Sequence, residues 1–181
     1  MKPKSLQRQD EIDWFKQLAA EEGVLSYLEI GSKYGGSLRE IASVMPVGSR
    51  LVAVDMPNDQ GASLLLESVV IELKREGYDA HLILGDSTAD DVIFAAKEFG
   101  PYDLLFIDAD HTLPYVEKDW ANYGPMARMV GFHDISCTII KPPPRKSIEV
   151  KPFWDKIKVG YRFEEKICDP EHNGIGVLWR E

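Results

Sequence analysis

The chain has 181 residues, with 21 Lys and Arg against 30 Asp and Glu and a net charge of -9. That length suits one domain with a sizeable core, and 44% hydrophobic with 28% charged residues describes a globular chain, not a disordered or fibrous one. The acidic balance works against polyanionic partners, so nucleic acid and membrane surfaces are poor readings. No apolar run approaches the roughly 18 residues of a membrane-spanning helix. The polar residues after Met1-Lys2-Pro3-Lys4 do not form a secretory leader, and a cytoplasmic protein is expected. Cys137 and Cys168 are too few for a disulfide framework and read as free thiols.

In chain order, the spacing predicts a helix over residues 5–22. Ser5 would be its N-cap, Ile12, Phe15, Leu18 and Ala19 its apolar stripe, and Gly23 its stop. Strands are predicted over 25–30, 50–54, 80–84, 102–107 and 128–132, and helices over 37–45, 61–76, 88–99 and 114–123. This alternation implies right-handed βαβ units in an open parallel sheet. Residues 141–146, with three prolines, read as a stiff loop. A short helix over 150–157 and strands over 161–167 and 175–180 follow. The Asn173-Gly174 turn marks the last two as a hairpin. The expected architecture is α/β: a Rossmann-like, doubly wound, mostly parallel seven-stranded sheet ending in an antiparallel hairpin. It is one domain, made of a helix (1–23), a ligand-binding core (24–135) and a loop, helix and hairpin (136–181).

Such sheets bind ligands at the carboxyl ends of their strands. Here those ends carry Glu29 to Ser37, Asp55, Asp86-Ser87, Asp108-Ala109-Asp110-His111 and His133-Asp134. Any one of them could be a helix cap; polar groups at all five ends point to one site. Gly31 and Gly35-Gly36 let the backbone turn and approach a ligand. The spacing is G-x-x-x-G-G, so neither a dinucleotide fingerprint nor a P-loop is present. A nucleoside without a pyrophosphate fits better, with Asp55 accepting from both ribose hydroxyls and Asp86 and Ser87 facing an adenine amine.

The segment from Leu28 to Ser37, with Val54-Asp55, Gly85-Asp86-Ser87 and the run Asp103 to Asp108, resembles a class I S-adenosylmethionine-dependent methyltransferase. Within that class, Phe106 to His111 and Gly131 to Ile135 are most similar to a small family related to antibiotic-sugar O-methyltransferases and cephalosporin-hydroxylase-like proteins. The resemblance implies S-adenosylmethionine as cofactor. Glu29 and Gly31 would border its methionine part, Asp55 its ribose, and Asp86 and Ser87 its adenine, with Ser32, Gly35, Ser37 and Asp108 also among the cofactor-binding residues. It also implies a small-molecule acceptor methylated at oxygen.

An alcohol or phenol must lose a proton as it is methylated, and a base or a metal ion can help. Asp108, His111 and His133 are the catalytic candidates. Related metal-dependent enzymes use an Asp after strand four and an acidic pair after strand five. Here Asp108 matches the first, while the pair is His133-Asp134. The candidate divalent ion on Asp108, His133 and Asp134 is magnesium, manganese or similar, and the imidazole favours the softer metals. His111 reads equally as base or as a capping histidine, and His133 as ligand or as a buried, hydrogen-bonded ring. His81 and His172 receive no role. The acceptor pocket would come from the first helix, the proline-rich loop or a neighbouring subunit of a homo-oligomer. Two other functions stay open: a glycosyltransferase holding its metal with Asp108-Ala109-Asp110, and a noncatalytic S-adenosylmethionine-binding domain.

Overall fold

The computed structural model describes residues 5–57, 60–142, 147–169 and 173–180. His172 and part of the proline-rich loop, 143–146, lie outside the described residues. The elements are α1 (Gln9–Glu21), β1 (Ser26–Ile30), α2 (Gly36–Ala42), β2 (Arg50–Asp55), α3 (Gln60–Arg75), β3 (Asp79–Leu84) and α4 (Asp90–Glu98). They continue with β4 (Tyr102–Ile107), α5 (Leu113–Tyr123), β5 (Ala127–His133), α6 (Val150–Ile157), β6 (Arg162–Lys166) and β7 (Ile175–Trp179).

Seven strands form one sheet in the order β3-β2-β1-β4-β5-β7-β6. The first five run parallel, and β7 pairs antiparallel with both β5 and β6. This is the expected Rossmann-like sheet, with β7 inserted between β5 and its hairpin partner. Burial explains the insertion: β7 (Ile-Gly-Val-Leu-Trp) is buried throughout, whereas β6 (Arg-Phe-Glu-Glu-Lys) is mostly exposed and suits an edge.

The strands read as nearly continuous apolar runs because both faces are covered. Tyr27, Leu51, Ala53, Leu104, Phe106 and Met129 point to one core with Ile12 and Phe15 of α1, Ile41 of α2 and Leu66 and Leu73 of α3. Their neighbours Leu28, Val52, Val54, Leu105, Ile107 and Val130 point the other way, onto Ala96 of α4, Val116 of α5 and Phe153 and Trp154 of α6. The period of two in the strands thus divides one sheet between two helix layers.

Two helix starts differ from expectation by more than one residue. The first helix begins at Gln9; Arg8, not Ser5, holds the N-cap position in an extended conformation without a side-chain cap. Ser5 instead turns its hydroxyl to Gln7 Oε1. The fourth helix begins at Asp90 because Asp86 Oδ1 accepts from the amide (2.8 Å) and hydroxyl (2.9 Å) of Thr88, making a separate turn ahead of it.

Candidate active site

Strand order reverses between β1 and β4, and the two loops leaving that point touch through their backbones. Gly31 has φ +93°, and a Cβ there would lie 2.3 Å from the Asp108 carbonyl oxygen. No other residue allows that approach. The Gly31 amide donates to the Val54 carbonyl (2.8 Å) and the Asp108 amide to the Ile30 carbonyl (2.9 Å), locking both loops to the sheet. Gly35, left-handed at φ 76°, is the N-cap of α2. From this point a cleft of about 730 Å³ runs along the carboxyl edge of the sheet. Its size falls in the range of small-molecule sites.

Along one arm of the cleft lie Gly31, Ser32, Ser37, Asp55, Asp86 and Ser87. Asp55, half-buried at the end of β2, accepts from the Lys33 amide; burial raises its pKa against that bond. Tyr123 of α5 donates to the Ser87 carbonyl at 2.7 Å and braces that turn. Glu29 and Gly35 do not line the cleft. The Glu29 carboxylate is fully buried behind the glycine loop, accepting from Tyr27 Oη (2.5 Å) and Ser37 Oγ (2.7 Å). Desolvation pushes its pKa up to about 7, and the two hydroxyls restrain the rise.

The other arm holds the ends of β4 and β5. His111 Nδ1 lies 2.8 Å from Asp134 Oδ2, and its Nε2 lies 3.9 Å from Asp108 Oδ1. His133 Nδ1 lies 3.0 Å from Asp108 Oδ1 and 3.5 Å from Asp134 Oδ1. Asp134 takes a positive φ of 60°, an uncommon backbone for aspartate. Burial alone would depress both histidines, yet the carboxylates outweigh it. His111 is raised, chiefly by Asp134 and Asp108, and His133 reaches about 9, chiefly through Asp108 with Asp134 and Glu11 behind it. Burial would lift Asp134 in turn, but the His111 hydrogen bond and the charges of both rings hold it below the usual carboxylate range.

The structure therefore brings Asp108, His111, His133 and Asp134 into one cluster. Asp110 plays a different part: its Oδ1 accepts from the Thr112 amide (3.0 Å) and hydroxyl (2.7 Å), forming the turn into α5. The sequence reading missed Gln7, whose amide nitrogen donates to Asp108 Oδ2, and Leu6, Tyr115, Ile139 and Ile148, which wall the same arm. No motif marks these residues. They arrive from the segment before α1, from α5, and from a bridge between Ile139 and Ile148.

A sheet of this order with a glycine-loop cleft at its reversal point and carboxylates at the strand ends defines the class I methyltransferases, the Rossmann-like class that uses S-adenosylmethionine. Residues 28–135, more than half of the chain, match the family described as "Methyltransferase domain". The protein belongs to that family. No curated protein matches the sequence. Among solved structures, a Staphylococcus aureus protein assigned to the caffeoyl-CoA O-methyltransferases superposes with a TM-score of 0.74 at 16% identity, over 98% of this chain and 86% of that one. The O-methyltransferase TomG of Streptomyces achromogenes, in complex with SAM, gives 0.70 at 16% identity over 95% and 80%. An O-methyltransferase of Bacillus cereus, in complex with SAH, gives 0.70 at 16% identity over 99% and 84%. At these identities the likeness is one of fold.

Proposed function

We propose that this methyltransferase moves a methyl group from S-adenosylmethionine to a hydroxyl oxygen of a small-molecule acceptor, with His111 as general base. The observation that carries this reading is the His111–Asp134 pair at 2.8 Å, on the cleft arm next to the glycine loop. The bond fixes the tautomer: Nδ1 carries the proton toward Asp134, and Nε2 is left to accept one. Transfer is then an in-line displacement. The acceptor oxygen forms a bond to the methyl carbon, the carbon–sulfur bond breaks with its electron pair going to sulfur, and the hydroxyl proton passes to Nε2. Most of the rate would come from alignment, and the carboxylates of Asp55, Asp86 and Asp108 suit a cationic sulfonium cofactor.

In this assignment Asp55 takes the ribose hydroxyls, Asp86 and Ser87 the adenine, and Gly31, Ser32 and Ser37 the methionine side. Glu29 and Gly35 act from behind, Glu29 by holding Ser37 and Gly35 by opening α2. The SAM complex of the Streptomyces enzyme and the SAH complex of the Bacillus enzyme support the cofactor.

As placed, the residues do not fit a divalent metal. His133 Nδ1 lies 3.0 Å from Asp108 Oδ1 and 3.5 Å from Asp134 Oδ1 without a well-formed hydrogen bond to either. Among the described residues no three His, Cys, Asp or Glu side chains form a metal-holding group. The reading therefore routes no step through a metal. Glycosyl transfer is the weaker reading, because it gives the glycine loop at the β1 end of the cleft no part to play.

The test is calorimetric titration with S-adenosylmethionine and S-adenosylhomocysteine, with a nucleotide sugar as control, followed by an acceptor screen. Micromolar binding of the adenosyl ligands alone is expected. Binding of the nucleotide sugar alone would replace this reading. A noncatalytic S-adenosylmethionine-binding role would be supported instead if the protein bound the cofactor, methylated no acceptor in the screen, and kept that binding in Asp108→Ala.

A further inference from the structure

We infer that Gln7 is a positioning residue for the transfer step, and that the segment before α1 completes the active site by holding Asp108. The role in transfer rests on the reading above; the contact does not. Gln7 lies outside residues 28–135, which carry the family match, yet its amide nitrogen donates to Asp108 Oδ2 across 101 positions of sequence. The two oxygens of Asp108 are thereby divided: Oδ2 takes Gln7, while Oδ1 faces His133 Nδ1 at 3.0 Å and His111 Nε2 at 3.9 Å. A carboxylate held on one oxygen is restrained in rotation, so the other is kept directed toward both rings.

The orientation of Gln7 is set by its own neighbours. The Ser5 hydroxyl donates to Gln7 Oε1, and the Gln7 amide donates back to Ser5 Oγ at 3.3 Å. An amide whose oxygen is engaged this way must turn its NH2 toward Asp108. The segment is tied down at its far end as well. Arg8 lies 3.9 Å from Asp169, and Glu11, fully buried in the first turn of α1, accepts from the Cys168 amide at 3.2 Å. Leu6 and Gln7 both wall the cleft on the histidine arm. This contact also accounts for the helix starting at Gln9 rather than at Ser5.

The experiment compares full-length wild type with Gln7→Ala, Gln7→Glu and the control Gln9→Ala, whose exposed side chain donates to Asp13 Oδ1 at 3.0 Å, on the outer face of α1. The imidazole 1H–15N signals of His111 and His133 are recorded at one pH, and S-adenosylhomocysteine affinity is titrated. Both Gln7 variants should shift the ring signals, Gln7→Glu the more because it sets a second carboxylate against Asp108. Gln9→Ala should leave them in place. With the first acceptor the wild type methylates, Gln7→Ala should lower kcat by about tenfold while KM for S-adenosylmethionine stays within about twofold, the split expected of a residue acting on the transition state alone. Ring signals unchanged in both Gln7 variants, or moved equally by Gln9→Ala, overturn the inference, as does an unchanged kcat. Failure of the wild type to bind S-adenosylhomocysteine would instead sink the proposed cofactor, and the ring signals would still report the Gln7–Asp108 contact.

Discussion

His111 and Asp134, 23 positions apart in sequence, meet with Nδ1 2.8 Å from Oδ2 at the ends of adjacent parallel strands. The pair exists because β4 and β5 are neighbours in register and because Asp134 turns its backbone to a φ of 60° as the chain leaves β5. A histidine oriented by a buried carboxylate and open on its other nitrogen is an arrangement suited to taking a proton.

His111→Ala should therefore lower kcat by about 100-fold to 10,000-fold, the usual worth of a positioned base, with S-adenosylhomocysteine affinity little changed. The sign of the pH dependence follows from its environment. A base works unprotonated, and Asp134 and Asp108 raise this ring above the ordinary histidine value of 6.5. The rising limb of kcat/KM should lie above 6.5 and vanish in the variant. A limb below 6.5 would remove His111 as the base.

His133 gives a stability prediction of definite sign. Its folded pKa is raised to about 9 from an ordinary 6.5, so its contribution is complete below 6.5 and is lost as pH rises through about 9. Urea unfolding of wild type and His133→Gln across that window should show the wild-type advantage shrinking toward alkaline pH. A constant difference would mean that the ring folds neutral.

Asp55→Ala should weaken S-adenosylmethionine binding by about 1–3 kcal/mol, the worth of charged hydrogen bonds to a ligand. Calorimetry reads this directly. Unchanged affinity removes Asp55 from the cofactor site.

Gly31→Ala should destabilise the protein by about 2–3 kcal/mol or more, from positive-φ strain and overpacking, because its Cβ would fall 2.3 Å from a backbone oxygen that cannot step aside. Thermal unfolding measures it, and a neutral substitution would mean that the two loops part easily.

Turnover should persist in the presence of a chelator, since the proposed step passes the acceptor proton to His111 and uses no metal. Loss of activity in chelator with restoration by manganese would reassign Asp108, His133 and Asp134 as metal ligands.

Much of this fold was legible because both periodicities were undisturbed. The apolar runs of Leu28, Val52, Leu105 and Val130 alternate with Tyr27, Leu51, Leu104 and Met129, one set for each helix layer. The spans of β4 and α6 agree to the residue with those expected from pattern alone. Helix starts were less legible where a side chain had a competing partner. Ser5 resembles an N-cap until Gln7 is seen to use its hydroxyl, and Thr88 resembles a helix start until Asp86 is seen to hold it.

By itself, then, the sequence determined the order of elements, the open mostly parallel sheet, and the row of polar residues at its carboxyl edge. Local periodicity and the handedness of βαβ units are enough for those. Only the tertiary structure decided which polar groups act on the cleft and which act on one another: Asp110 on Thr112, Glu29 on Ser37, Gln7 on Asp108, and His133 between two carboxylates. Those choices depend on side-chain directions and on contacts between residues as far apart as Gln7 and Asp108, and the free energy of a buried charge is set by whatever the folded chain brings beside it.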